Sequence, residues 1–183
     1  MTEVTYDSPL PRSISQAVSC RTAGPGDAFA IAEIYNQAVK SRLATFETTL
    51  RTPLDRREWL IEHGAQYPIV VAEFAGSVVG WASIAPFSPR QCYRGIGYFS
   101  IYVEEDMRGR GVGRVLLPFL VHEAARRGYW KLLSGIFTGN AASRSLCAAC
   151  GFREVGVYQR HAQLDDRWID VVMVERSLST SEA

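Results

Sequence analysis

Tyr98-Phe99-Ser100-Ile101-Tyr102-Val103-Glu104-Glu105-Asp106-Met107-Arg108-Gly109-Arg110-Gly111-Val112-Gly113-Arg114 is the most informative segment of this 183-residue chain. Its first six residues are aromatic or β-branched save one serine, the composition of a strand. Its last seven alternate arginine and glycine around one valine. From Val115 to Arg127 the apolar residues Leu116, Leu117, Leu120, Val121 and Ala124 recur at helical spacing, and Gly128 supplies a stop. Pro118 falls near the start of that helix, where a missing N–H costs least. The order is strand, glycine turn, helix. A helix start leaves backbone N–H groups unpaired and carries partial positive charge, which suits an anion. Glycines allow close approach of backbone to ligand, and Arg108, Arg110 and Arg114 add charge and paired donors. The segment therefore predicts a phosphate or pyrophosphate ligand. A dinucleotide fingerprint would need its third glycine at Arg114 or Leu116, and a P-loop would need a following Gly-Lys-Ser/Thr. Neither is present, and R-x-x-G-x-G from Arg108 to Gly113 remains.

Elements of both kinds flank this segment. Before it come a short strand over Ala17–Arg21, a helix over Ala28–Val39, and a second helix introduced by Thr52-Pro53-Leu54-Asp55 and closed by Gly64. Ile69–Phe74 and Val78–Ile84 read as a hairpin about Ala75-Gly76. After it come a strand over Trp130–Phe137, a helix over Asn140–Cys150 stopped by Gly151, and strands over Phe152–Tyr158 and Trp168–Val174 around Asp165-Asp166. The fold class is α/β (α+β), one domain over 17–176, with a flexible tail expected at 1–16 and another at 177–183. Length alone favours one domain.

Hydrophobic residues make up 47% and charged residues 21%, the balance of a globular protein. The net charge of +1 argues against nucleic acid as the main partner. No apolar run reaches the roughly 18–20 residues that span a bilayer, and the first residues lack the pattern of a secretory signal, so no membrane partner is expected. Four cysteines without a dense framework favour a reduced, cytoplasmic setting.

Read with its flanks, the glycine segment resembles the acetyl-coenzyme A loop, Q/R-x-x-G-x-G/A, of the GNAT superfamily of N-acetyltransferases. The likeness runs from Val18 to Arg176 and includes Ile34-Tyr35-Asn36, Ala44-Thr45-Phe46-Glu47, Val79-Gly80-Trp81-Ala82, Asn140-Ala141-Ala142-Ser143, Cys150-Gly151-Phe152-Arg153-Glu154 and Arg167-Trp168-Ile169-Asp170. These look like the phosphinothricin acetyltransferase branch. Trp130–Ser134, Val155–Tyr158 and Trp168–Arg176 are most similar to its arsinothricin N-acetyltransferases. The resemblance implies a mixed, mostly antiparallel central sheet flanked by helices. It also implies acetyl-CoA as cosubstrate, a small amino-acid-like amine as partner, a homodimer and a role in antibiotic resistance.

By the same resemblance the pyrophosphate lies on Arg108, Gly109, Arg110, Gly111, Val112 and Gly113, with Arg114 nearby. The backbone of Ile101, Tyr102 and Val103 pairs with the pantetheine arm, and the Val103 N–H holds the developing oxyanion. Asn140 and Ser143 meet the cofactor across the next helix start. The amine arrives protonated, so a base is required. The branch places a glutamate where this chain has Tyr98, and a phenol of ordinary pKa near 10 is a poor base. The branch often places a histidine, as acid toward the leaving thiolate, where this chain has Cys147; a thiol of ordinary pKa could fill that role. Tyr35, Phe46 and Tyr93 are aromatic candidates for the pocket wall, Glu47 a polar one, and Arg90 an anchor for the substrate carboxylate. Ser88 stands where relatives often carry a second basic residue. Glu73 and Glu104 are further acidic candidates, although a solvated carboxylate explains each equally well.

The activity implied is acetyl transfer by direct attack in a ternary complex. Two alternatives stay open: an acetyl-CoA-binding module with little catalysis, suggested by Tyr98, and acetylation of a protein N-terminus or lysine. No metal is expected, since Cys147 and Cys150 lack two further ligands at suitable spacing. His63, His122 and His161 are scattered through the sequence with no pattern that assigns them chemistry.

Overall fold

The computed structural model describes residues 17–64 and 66–178. Seven strands form one sheet, β1 (Ser19–Thr22), β2 (Ile69–Phe74), β3 (Ser77–Pro86), β4 (Ile96–Val103), β5 (Lys131–Phe137), β6 (Arg153–Leu164) and β7 (Arg167–Ser177). Their spatial order is β1-β2-β3-β4-β5-β7-β6. Every neighbouring pair is antiparallel except β4 and β5. Four helices cover the sheet: α1 (Ala28–Ser41), α2 (Pro53–Gly64), α3 (Val112–Arg126) and α4 (Ala141–Ala149).

Turn chemistry sets the two hairpins. Ala75 and Gly76 join β2 to β3, and Asp165 and Asp166 join β6 to β7, all four with positive φ. Two successive left-handed residues match the twist of the flanking strands. Parallel β4 and β5 cannot be joined by a tight turn, so the chain crosses over through α3. Leu116, Leu117, Leu120 and Ala124 of α3 are fully buried against Ile84, Phe99 and Leu132 of the sheet. On the other face, Ile31, Ile34, Tyr35 and Val39 of α1 and Leu60 of α2 pack on Ile69, Val71 and Trp81. The middle of the sheet is thus covered on both sides, which is why Ile69–Ala72 is an unbroken buried run rather than an alternating one.

Several boundaries differ from those the sequence suggests. Helix α3 starts at Val112 rather than Val115, because Gly111 turns left-handed at φ 93° and the Arg114 N–H already donates to the Gly111 carbonyl at 3.0 Å. Pro118 consequently lies inside the helix, in its second turn, and cannot donate to the Arg114 carbonyl. Strands β6 and β7 extend beyond the expected 152–158 and 168–174, because pairing resumes after a bulge. Tyr158 opposes Val171 and Ala162 opposes Ile169, so residues 159–161 face Asp170 alone. Arg160 is left-handed there (φ 48°), and its N–H donates to the Asp170 carboxylate at 2.7 Å. Of the C-terminal tail expected over 177–183, Ser177 belongs to β7 and Leu178 is buried with its N–H on the Trp130 carbonyl, while 179–183 lie outside the described residues. The tail expected at 1–16 lies outside the described residues.

One feature of the sheet creates the site. β4 and β5 pair only through Ile96, Gly97 and Tyr98 against Lys131, Leu132 and Leu133. Beyond that point they part. Two side chains fill the apex of the fork: Ser134 Oγ donates to the Phe99 carbonyl at 2.8 Å, and the Gly135 N–H donates to Tyr98 Oη at 2.7 Å.

Candidate active site

The free edge of β4 follows from the alternation of an antiparallel ladder. The Glu104 N–H donates to the Val79 carbonyl, and Val103 stands opposite Gly80 in the next, non-bonded position. Val103 and Ile101 therefore turn their backbone groups away from β3 and into the fork. The Val103 carbonyl is taken by Arg108 Nε at 3.1 Å. The Val103 and Ile101 N–H groups and the Ile101 carbonyl remain on this edge, the array that an extended polar arm would meet.

Along this edge runs a cleft of about 440 Å³. Ile101, Tyr102 and Val103 form one wall, with Arg108, Gly109, Gly111, Val112, Gly113 and Arg114 at its end. Asn140 and Ser143 stand on the opposite wall. Gly109 and Gly111 both have positive φ, 73° and 93°. A glycine turn of this shape, feeding a helix N-terminus and flanked by Arg108 and Arg114, fits a diphosphate. Arg110, expected in the same set, does not line the cleft. Gly113 has a packing reason as well, since a Cβ there would lie 2.8 Å from Leu146 Cδ2. Asn140 caps α4 by accepting the Ser143 N–H at 3.1 Å, and its amide nitrogen donates to the Leu43 carbonyl at 3.3 Å. Its side chain thereby ties α4 to the segment after α1. Leu43, Met107 and Leu146 also line the cleft; nothing in their sequence context marked them.

At the mouth of the fork the cleft meets a second cavity of about 320 Å³, with Ala44, Ile101, Tyr102, Asn140 and Ser143 shared between the two. Phe46 and Phe137 stand ring to ring at 4.6 Å, both on the wall of this cavity. Glu47 lines it too, its carboxylate held by Arg51 Nε at 2.8 Å and Nη2 at 2.7 Å. His161 enters from the bulge of β6. No sequence signal marked His161, because a bulge has no periodicity.

Tyr98 and Cys147 both line the second cavity, yet neither has the acid–base character their positions suggested. The Tyr98 phenol is tied to the Gly135 N–H, and burial raises its pKa above that of an ordinary phenol. It accepts a structural hydrogen bond, and burial disfavours the phenolate that a base at this position would need. The Cys147 thiol is 1% exposed, and burial pushes its pKa up to about 12. A thiol so weakly acidic cannot pass its proton downhill to a thiolate whose conjugate acid has an ordinary pKa, about 8.5.

The remaining expected substrate residues lie elsewhere. Tyr35 is a buried core residue, its Oη 3.1 Å from Thr45 Oγ1 and its ring edge-on to Tyr102 at 5.1 Å. It supports the segment that carries Glu47 rather than facing the cavity. Arg90 and Tyr93 sit on the β3–β4 connection and line neither hollow; Tyr93 packs edge-on against Phe87. Glu73 is paired with Arg21, and Glu104 follows β4 outside both hollows. A further surface hollow, about 600 Å³ around Pro118, Cys150 and Arg176, contains none of the expected site residues.

Comparison with known proteins agrees with this geometry. The model of the acetyltransferase (GNAT) family matches residues 31–152. An L-methionine sulfoximine/L-methionine sulfone acetyltransferase of Pseudomonas aeruginosa is 34% identical, over 91% of this chain and 98% of its own. The crystal structure of a GNAT superfamily phosphinothricin acetyltransferase from Sinorhizobium meliloti, in complex with acetyl-CoA, superposes with a TM-score of 0.82 at 30% identity, covering 89% of each chain. A ribosomal-protein-alanine N-acetyltransferase from Brucella melitensis gives 0.84 at 38% identity, covering 87% of this chain and 99% of its own.

Proposed function

Since this chain belongs to the GNAT family of acetyltransferases, we propose that it moves the acetyl group of acetyl-CoA to the primary amine of a small amino-acid-like acid of the phosphinothricin or arsinothricin type. The observation that carries this reading is the fork between β4 and β5, which joins a cationic glycine turn at one end to a cavity holding Glu47 and His161 at the other. The names of the relatives support an amino-acid-like acceptor.

Bound acetyl-CoA supplies the activated acyl group as a thioester. The chain's part is binding, orientation and charge. The N–H groups of the glycine turn, with Arg108 and Arg114, hold the diphosphate. The Ile101 backbone on the free edge of β4 pairs with the pantetheine arm, and the Val103 N–H takes up the charge developing on the thioester oxygen. A fixed donor of this kind is worth about 3–4 kcal/mol in the transition state. The Cys147 thiol on the cavity wall is buried with its pKa raised, which makes it a poor carrier of an acyl group. Both substrates are then bound together and the amine attacks directly. Glu47, fixed by Arg51, offers a negative charge to the incoming ammonium. Phe46 and Phe137 pack on its carbon chain.

Assembly as a homodimer is part of the proposal. Val155, Val157, Tyr158 and Trp168 are exposed on edge strand β6 and its partner β7. Sedimentation equilibrium reads the mass directly. No helix among the described residues is long and apolar enough to cross a membrane.

The deciding measurement follows release of free thiol from acetyl-CoA with phosphinothricin, arsinothricin, methionine sulfoximine and alanine-terminated peptides as acceptors. Turnover with the small acids and background rates with peptides are expected. Turnover with peptides alone would move the acceptor class to protein N-termini, a reading favoured by the likeness to the Brucella enzyme. Background rates with all of them, together with tight acetyl-CoA binding, would leave a binding module.

A further inference from the structure

We propose that His161 is the group that takes the proton from the acceptor amine. The assignment rests on the acetyl-transfer reading above. Five titratable side chains line the acceptor cavity: Glu47, Tyr98, Tyr102, Cys147 and His161. Four are committed elsewhere. Tyr98 Oη accepts the Gly135 N–H, and burial raises the pKa of both tyrosines and of Cys147. Glu47 Oε2 accepts Arg51 Nε at 2.8 Å with Nη2 beside it at 2.7 Å, so the carboxylate is held as the counter-charge of a guanidinium. Histidine is the side chain most often used to move protons near neutral pH.

The fold goes to some length to aim this ring. An undisturbed β6 would pair through residues 159–161 one for one, whereas here all three face Asp170 alone. The detour needs a left-handed Arg160, and the Asp170 carboxylate takes the Arg160 N–H that loses its ladder partner. Bulges beside clefts characteristically redirect a side chain. The result here sets the His161 ring 5.2 Å from the Tyr158 ring and on the cavity wall. Next along the same hairpin, Asp165 receives Arg42 Nε at 2.9 Å. That ion pair ties the strand carrying His161 to the segment that leads into Ala44–Glu47, the opposite wall. The charged and titratable neighbours are Tyr158 and Arg160 on β6, Asp170 on β7, Tyr98 and Tyr102 on β4, Cys147 on α4, and Glu47 with Arg51 after α1.

The proton balance is straightforward. Neutral His161 takes one proton from the acceptor ammonium and releases it to solvent. The amine nitrogen then forms the C–N bond to the thioester carbonyl carbon as the C–S bond breaks, and its second proton leaves with the thiolate as free thiol. The net products are amide, thiol and one solvent proton.

The test compares wild type, His161→Gln and His161→Ala on the best acceptor amine, with acetyl-CoA affinity measured by calorimetry. A base of this kind contributes about 100-fold or more. The expected result is a kcat lower by about that factor in both variants, unchanged acetyl-CoA affinity, loss of the neutral-pH inflection from the kcat/KM profile, and partial recovery of His161→Ala by added imidazole. Variants that keep the wild-type rate and inflection overturn the assignment. So do variants that are slow yet keep the inflection and ignore imidazole, or that lose acetyl-CoA binding, since either result means a shape role. Absence of turnover in the wild type itself would instead overturn the acetyl-transfer reading, and this assignment with it.

Discussion

The Tyr98 hydroxyl sits at the point where two strands separate and accepts an N–H that no strand partner can reach. Removing it leaves the Gly135 donor at the fork without its protein acceptor. Tyr98→Phe is therefore expected to lower stability by about 1 kcal/mol, the usual net worth of such a bond, while kcat changes only a few-fold. Chemical denaturation and steady-state rates check both halves; a base at this position would instead lose about 100-fold or more. Burial gives Cys147 a second measurable consequence. Its pKa is pushed up to about 12 and that of Cys20 to about 11, so both thiols hold their protons more tightly folded than unfolded. That stability is fully present below about pH 9 and is lost as pH rises toward about 12. The urea midpoint should fall between pH 8 and pH 10.5, and by less in Cys147→Ala; an equal fall in both proteins would contradict the account. Position and environment separate cleanly here. The resemblance pointed to Tyr98 and Cys147 by place in the chain, but burial and the Gly135 N–H come from strands distant in sequence.

The glycine turn is the element whose conformation binds most directly to chemistry. The turn itself was legible from the spacing of Gly109 and Gly111, and so were the Ala75-Gly76 and Asp165-Asp166 hairpin turns. The start of α3 was not, because Val112-Gly113-Arg114 looks like loop until Gly111 is known to take the left-handed turn. The bulge at 159–161 was not legible either, since it depends on an Asp170 bond across two strands. Two substitutions test the turn. At Gly111, φ is 93° and a β-branched residue is forced out of the turn, so Gly111→Val should weaken acetyl-CoA binding by about 10-fold or more. Gly113 is helical, and an added methyl meets only the flexible end of Leu146, so Gly113→Ala should cost a few-fold at most. Calorimetry with acetyl-CoA ranks the two, and circular dichroism confirms that each is folded. Equal affinities would mean that the turn's shape does not matter to the ligand.

At the scale of the whole molecule, the sheet is two antiparallel halves, β1–β4 and β5–β7–β6, joined by three parallel residue pairs and the α3 crossover. Ser134 Oγ and Tyr98 Oη bridge the apex, and past them the halves share no ladder. A ligand lying in the fork touches both: the β4 edge and glycine turn on one side, Asn140 and Ser143 after β5 on the other. It binds the folded chain and has no comparable site on the unfolded one, so it must raise stability by mass action. At about 100 times its Kd the gain is about 2.7 kcal/mol. For a chain of this size each kcal/mol moves the midpoint by about 2–4 °C, which gives about 5–10 °C. Thermal scans with acetyl-CoA should show that rise. Coenzyme A lacking the acetyl group should give most of it, because the diphosphate and pantetheine contacts are unchanged. Gly111→Val at the same ligand concentration should give much less. A wild-type midpoint that stays put at saturating acetyl-CoA would mean that the fork is not where the ligand binds.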